Sequence, residues 1–274
     1  MHCSPNNSSK KGSKKSYTCF NRKSLVKIAT AHNNKNKHKI KITSNNKSLW
    51  NNIRKKLNNK CNNEWCWTDQ EFIKELNDKE IQEHTFIPKA PKSWNSNKYE
   101  WLSTTDINKV MKQYEQKYLD FLFIGPVPLD CYAGSKLSCE LTNINVKKIF
   151  NSGINKIGII YNLDYSYMPG SHWVALFINK SNKSIVYFDS TGMKPPDEID
   201  ALMIFFQDEF KKMNIKFRKG YSKKQHQFGN TECGVYSMNY IIESLKGKKL
   251  TQINKKRIPD KIMNNMRKHL YRFD

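Results

Sequence analysis

Apolar residues recur at helical spacing in three stretches near the start of the chain. Leu25, Val26, Ile28 and Ala29 predict a short helix, Leu49, Trp50, Ile53 and Leu57 a second, and Trp67, Phe72, Ile73 and Leu76 a third. The Asn- and Lys-rich stretch 33–47 reads as a loop. Pro88, Pro91 and the polar run to Asn97 mark a boundary. Beyond it, residues 106–118 are helical, and the apolar run 121–125 fits either a strand or the end of that helix. Residues 126–140, with Pro126, Pro128 and Gly134, read as an irregular loop, and Val146, Ile149 and Phe150 lie on another helix. Three runs, 156–162, 172–179 and 184–189, have the character of buried strands. Ile199, Leu202, Met203, Phe206 and Phe210 share one face of a helix over 197–213, and 215–218 reads as a short strand. Val235, Met238, Ile241, Ile242 and Leu245 give a helix that starts near Cys233, and 258–270 gives a last one. No internal repeat is visible. The pattern predicts an α+β fold with a small central mixed sheet flanked by helices. Its expected parts are a disordered tail over 1–19, a helical N-terminal extension over 20–97 and a main domain over 98–274.

Length and charge refine this picture. The 274 residues suit one medium domain plus a small extension. No apolar run approaches the length of a membrane span and the start lacks a signal-peptide core, so neither membrane insertion nor export is expected. Net charge is +24, and 16 of the 48 Lys and Arg fall in residues 1–60, which hold no Asp or Glu. A basic arm of this kind suits an anionic partner, DNA or an acidic protein. The alternative is compositional drift, because the whole chain is rich in Lys and Asn, as AT-rich coding produces. Seven cysteines (Cys3, Cys19, Cys61, Cys66, Cys131, Cys139 and Cys233) form no regular framework and predict a reduced, intracellular chain. Cys61 and Cys66 lack a second close Cys/His pair, so neither a metal nor another cofactor is expected.

The candidate chemistry centres on the stretch from Gln227 to Tyr236. Cys233 sits where a helix begins, and there open backbone N–H groups and the helix dipole favour a thiolate. Alone, the stretch fits a buried structural cysteine better. Partners change that. The runs 172–179 and 184–189 form a hairpin in which His172 faces residues 189–191, so Asp189 comes out beside it. Each role in thiol catalysis then has a candidate: Cys233 as nucleophile, His172 as its base and Asp189 to orient the imidazole. The Gln227 amide with the Cys233 backbone N–H would make an oxyanion hole. His226 is a decoy beside Gln227, and Cys131 and Cys139 lack comparable partners.

These residues resemble a known family. Ser171-His172-Trp173 with Asp189 seventeen residues after the histidine, the Gln227-x5-Cys233-Gly234 block preceded by Glu232, and Trp101-Leu102 opening a helix are similar to the clan of SUMO-specific proteases and the adenovirus maturation protease. The chain order His, Asp, Gln, Cys is that clan's own, and the resemblance covers about residues 98–273. Within the clan, the blocks from Gly170 to Ala175, from Tyr187 to Ser190 and from Asn230 to Gly234 resemble the polyprotein-processing proteases of African swine fever virus and mimivirus-like giant viruses.

The resemblance implies a papain-related catalytic core over 98–274. It further implies a cysteine endopeptidase that cleaves after Gly-Gly in viral structural precursors during virion maturation, in the virion and the virus factory of the host cytoplasm. Trp101 and Trp173 match two tryptophans that sandwich a Gly-Gly segment, a slot that only residues without a Cβ enter. Ser103-Thr104 departs from the Asn-Asp of the clan's helix-opening motif, which weakens SUMO-like contacts at that edge. The alternatives are a desumoylating or deubiquitinating isopeptidase with the same chemistry, and a virion DNA- or scaffold-binding protein using the fold as a vehicle.

Overall fold

Three adjacent strands, buried along most of their length, organise the main part of the protein. The computed structural model describes residues 2–7, 17–132 and 139–273. The chain divides into two units, Met1–Lys89 with Tyr271–Asp274, and Ala90–Leu270.

In the second unit a five-stranded sheet runs in the order β1 (Phe121–Pro128), β2 (Lys156–Asn162), β3 (Trp173–Asn179), β4 (Ser184–Phe188), β5 (Arg218–Tyr221). β1 and β2 are parallel, β2–β3 and β3–β4 antiparallel, and β4 and β5 parallel, so the sheet is mixed. Ile157, Ile159, Tyr161, Val174, Leu176, Ile178, Ile185 and Tyr187 share one face. They pack with helices α6 (Val146–Asn151) and α7 (Asp197–Lys212) through Phe150, Ile199, Leu202, Phe206 and Phe210. The opposite face of β3 and β4 meets α8 (Cys233–Leu245): Phe188 stacks on Tyr240 at 4.6 Å and Phe177 meets the same ring edge-on. Both faces of β3 are thus covered, which is why its seven residues are all buried and its sequence is a continuous apolar run.

The short apolar run after helix α5 (Thr104–Lys117) is a strand. β1 lies at the sheet edge, where Pro126 and Pro128 remove no ladder bond that the sheet needs, and its pairing shifts between Ile124 and Val127. α5 starts at Ser103. Its hydroxyl accepts from the Asp106 N–H at 3.2 Å, while Asp106 accepts from the Ser103 N–H at 2.9 Å, a reciprocal capping box. The expected strand over 215–218 is displaced to β5. Phe217 stacks on Phe210 of α7 at 3.6 Å, so the apolar residues there pack the connector while the polar residues after it pair with β4. Gly134, expected in a loop, lies outside the described residues. The last helices are α9 (Leu250–Ile253) and α10 (Asp260–Leu270).

The first unit is helical: α1 (Arg22–Lys35), α2 (Asn46–Leu57), α3 (Glu64–Thr68) and α4 (Glu71–Lys74) bury Leu25, Ile28, Leu49, Ile53, Trp67 and Ile73 together. Two expectations are corrected here. Of the supposed disordered tail, residues 8–16 lie outside the described residues, but 2–7 and 17–19 are folded. Ser4 N–H donates to Thr85 O at 3.0 Å, Ile87 N–H donates to His2 O at 2.8 Å, and Cys3 is bonded to Cys19. The extension also ends earlier than residue 97, because Trp94 is buried in the second unit with the Arg267 guanidinium 4.8 Å from its ring centroid. The reduced-cysteine expectation fails as well. Cys3–Cys19, Cys61–Cys66 and Cys131–Cys139 are disulfides, with Cα–Cα separations of 5.1, 5.4 and 5.5 Å. The first pair is brought together by the pairing of Cys3 with Phe86, which no spacing in the sequence announces. Cys233 alone among the described cysteines is free.

Candidate active site

Cys233 is the first residue of α8 and its thiol is buried. Among the described residues no side chain caps this helix, so the N–H groups of its first turn remain open toward a developing negative charge. The preceding Glu232 is turned away. Its carboxylate accepts from the Thr231 N–H, the Thr231 hydroxyl at 2.7 Å and the Asn264 amide at 2.7 Å. Gly234 follows in a tight place: a Cβ there would stand 3.0 Å from Leu102 Cδ1 and 3.2 Å from Trp173 Cδ1, so these neighbours would have to give way.

His172 immediately precedes β3 and Asp189 immediately follows β4. The observed register pairs Ala175 with Phe188. Extended outward, it sets Thr191 opposite His172 and makes Asp189 the diagonal neighbour on the same face. The contact is direct, with Nε2 2.8 Å from Asp189 Oδ1. A carboxylate only accepts, so Nε2 carries a proton and Nδ1 is the nitrogen left for the thiol. Burial opposes the charged imidazole, but hydrogen bonding to Asp189 and to Cys233 outweighs it and raises the His172 pKa from 6.5 to about 10. The arrangement therefore stabilises an imidazolium beside the sulfur. Asp189 is itself fixed, since the same Oδ1 accepts from the Thr191 N–H and the Thr191 hydroxyl, each at 2.8 Å. The turn closes at Gly192, whose φ of +82° suits glycine and whose Cβ would sit 3.0 Å from the Lys223 carbonyl oxygen.

Gln227 is buried, and the turn after β4 holds it. The Ser190 carbonyl accepts from the His226 and Gln227 N–H groups at 2.7 and 2.9 Å, and the Ser190 hydroxyl donates to Gln227 Oε1 at 2.6 Å. Gln227 Nε2 donates to Gly229 O at 2.9 Å. A carbonyl oxygen only accepts, so the amide orientation is unambiguous, and Nε2 keeps a second hydrogen for another acceptor. His226 is fully buried. It accepts the Ile258 N–H through Nδ1 at 3.0 Å, and its Nε2 lies 3.0 Å from Asn254 Oδ1. Burial lowers its pKa, so it is a neutral structural side chain in the segment that carries Gln227.

Trp101 and Trp173 line one groove of about 590 Å³ together with Met168, Pro169 and Gly170. Trp101 is 43% exposed. Trp173 is buried, its indole N–H donating to Leu102 O at 2.9 Å, so it offers the groove little more than an edge. All six residues singled out from the sequence lie in the second unit. Ser190, Thr191, Asn264 and Asp260 were not singled out. The first two follow Asp189 directly, and the run Asp189-Ser190-Thr191-Gly192 has the composition of a turn, which was the one available signal. Among the described residues no cluster of three His, Cys, Asp or Glu is placed to hold a metal.

Residues 143–273 match the Ulp1 protease family, C-terminal catalytic domain. A protein of Acanthamoeba polyphaga mimivirus, named a thiol protease, is 35% identical over 281 residues, which cover 94% of this chain and 90% of that one. An African swine fever virus protein named a SUMO-1 cysteine protease is 26% identical over 62% of this chain and 67% of its own. The crystal structure of an African swine fever virus protease shares the fold, with a TM-score of 0.72 over 100% of this chain and 96% of that one at 22% identity.

Proposed function

The chain belongs to the Ulp1 family of cysteine proteases, and from that membership we propose that it is an endopeptidase cleaving after Gly-Gly in viral structural precursor proteins, with Cys233 as nucleophile. The observation that carries the reading is one line of contacts. Asp189 holds His172, His172 holds a proton beside the only free thiol among the described residues, and the Gln227 amide is locked with one hydrogen to spare.

The reaction follows from these groups. The Cys233 thiolate attacks the scissile carbonyl carbon and forms a C–S bond. The displaced electron pair goes to the carbonyl oxygen, where Gln227 Nε2–H and the Cys233 N–H receive it. Collapse expels the amine, which takes its proton from His172. Water then gives a proton to His172, attacks the thioester and releases the acid and the thiolate. Trp101 and Trp173 select for glycine where the substrate passes them, because a Cβ would meet the rings. Maturing virions and the sites of their assembly are where such precursors occur, and the basic arm contributes contact with DNA.

The test is hydrolysis of Gly-Gly-x peptides and of purified virion precursors, with cleavage sites read by mass spectrometry. Cys233→Ala and His172→Ala should each abolish cleavage, and turnover by the Cys233 variant would sink the assignment. A second reading is an isopeptidase acting on SUMO or ubiquitin conjugates, and the name of the African swine fever virus relative favours its SUMO form. Preference for conjugates over Gly-Gly precursors in one panel would establish it instead.

A further inference from the structure

The first unit encloses a pocket of about 280 Å³ that the proteolytic reading leaves without a role. Its walls are rings: Tyr17, Trp50, Trp65, Trp67 and Phe86. They are held in place. The Trp50 indole N–H donates to one oxygen of Glu64, whose other oxygen accepts the Cys19 N–H at 3.1 Å. Tyr17 meets Trp50 edge-on at 5.6 Å, Trp65 meets Phe86 edge-on at 6.5 Å, and Trp67 is stacked on Phe20. Trp50 and Trp65 remain half-buried, with ring surface open to the pocket.

The polar lining narrows what fits. The Arg54 guanidinium stands 5.2 Å from the Trp50 ring centroid, and the exposed residues Asn58 and Asn62 also line the pocket. A cationic ligand is opposed by Arg54, and Glu64 is already committed to the indole and the backbone. Charge gives a second, independent constraint. The helix that carries Trp50 and Arg54 continues with exposed Lys55 and Lys56, Lys60 follows, and residues 1–60 hold 16 Lys and Arg with no acid. The ligand these features select has a flat ring to stack, hydrogen-bonding edges for amides, and negative charge repeated along a chain. A proline-rich peptide would use the rings and leave the charge unanswered. A duplex would use the charge but keeps its bases stacked away from the pocket.

We propose that the N-terminal unit binds single-stranded nucleic acid, with one unpaired base inserted among Trp50, Trp65 and Phe86 and the backbone carried by Arg54 and its lysine neighbours. The test uses the full chain at physiological salt and three labelled polyanions: oligothymidylate, its duplex with oligoadenylate, and an abasic oligomer of the same length. Anisotropy gives affinity, and tryptophan quenching reports stacking. The expected result is that oligothymidylate binds about tenfold or more tightly than the abasic oligomer and quenches fluorescence. Trp65→Ala should erase that difference and Trp65→Phe should retain it. The abasic comparison uses wild-type protein, so it stands even if the alanine variant folds poorly. Equal affinity for all three polyanions without quenching shows binding by charge alone and overturns the proposal. So does preference for the duplex, or no binding of any of the three.

Discussion

Ser190→Ala tests whether the turn after β4 wires the acid side of the site to the oxyanion side. The substitution deletes one hydroxyl and leaves the Ser190 carbonyl, which holds the His226 and Gln227 N–H groups, in place. What it removes is the 2.6 Å bond to Gln227 Oε1, between side chains that are 1% and 3% exposed. A buried acceptor left unpaired costs about 1–3 kcal/mol of stability, which a thermal melt reads. In catalysis the Gln227 amide keeps only its bond to Gly229 and loses its fixed orientation. Removing an oxyanion donor outright costs about 2.7–4 kcal/mol, so loosening one should cost less, roughly tenfold in kcat. Because the contact matters only when negative charge develops, kcat and kcat/KM should fall together with KM little changed. The decisive assay is a double-mutant cycle on a Gly-Gly-x fluorogenic peptide. In a Gln227→Ala background Ser190→Ala should add nothing to the loss in kcat. If the two losses simply add, Ser190 does not act through Gln227 and the argument is refuted.

Further outcomes follow from the same geometry. His172 is protonated up to about pH 10 because of Asp189 and Cys233, so wild-type kcat/KM should fall on its alkaline side only near that pH. Asp189→Asn should bring that limb toward neutrality and lower kcat. The folded-state pKa is raised, so the stabilisation from this ion pair is full below about pH 6.5, declines above it and is gone past about pH 10; melts of wild type against His172→Gln across that range read it. Gly234→Ala places a methyl 3.0 Å from Leu102 and 3.2 Å from Trp173, an overpacking cost of about 1–3 kcal/mol that falls on the sulfur's own helix turn. Both melting temperature and kcat should drop, and an unchanged kcat would show that the turn relaxes without moving Cys233.

The sheet was legible wherever burial was complete. β2 matches its apolar run to the residue, and β3 and β4 differ from theirs by one residue at the ends that carry His172 and Asp189. Those two residues lie outside the ladder, which is how their side chains come to face each other across its end. β5 was misplaced because Ile215 and Phe217 pack into the core, Phe217 against Phe210 of α7, without pairing in the sheet, so hydrophobicity marked the connector. The third helical face broke into α3 and α4 around Asp69 and Gln70. The disulfides were not legible because chain folding, not spacing, supplies their proximity. Ser190 escaped for a related reason: a polar residue in a turn acquires its role from what the fold sets against it, here a glutamine thirty-seven positions later.

The gap of six from Gln227 to Cys233 is explained by how the segment is held at both ends. At its start the Ser190 turn grips the Gln227 backbone and side chain. In its middle Asp260, the first residue of α10, accepts from the N–H groups of Phe228 and Gly229 at 3.1 and 3.2 Å. It accepts the Tyr236 hydroxyl at 2.8 Å through its other oxygen, which joins α10 to α8 at the same point. At its end Arg267 donates to the Thr231 carbonyl at 2.9 Å, and Asn264 holds the Glu232 carboxylate. Three successive turns of α10 thus fix a segment that a sequence reader would take for a polar loop. An oxyanion hole works because its donors are already in place when charge develops. The closing helix is therefore part of what fixes the segment between Gln227 and the first turn of α8.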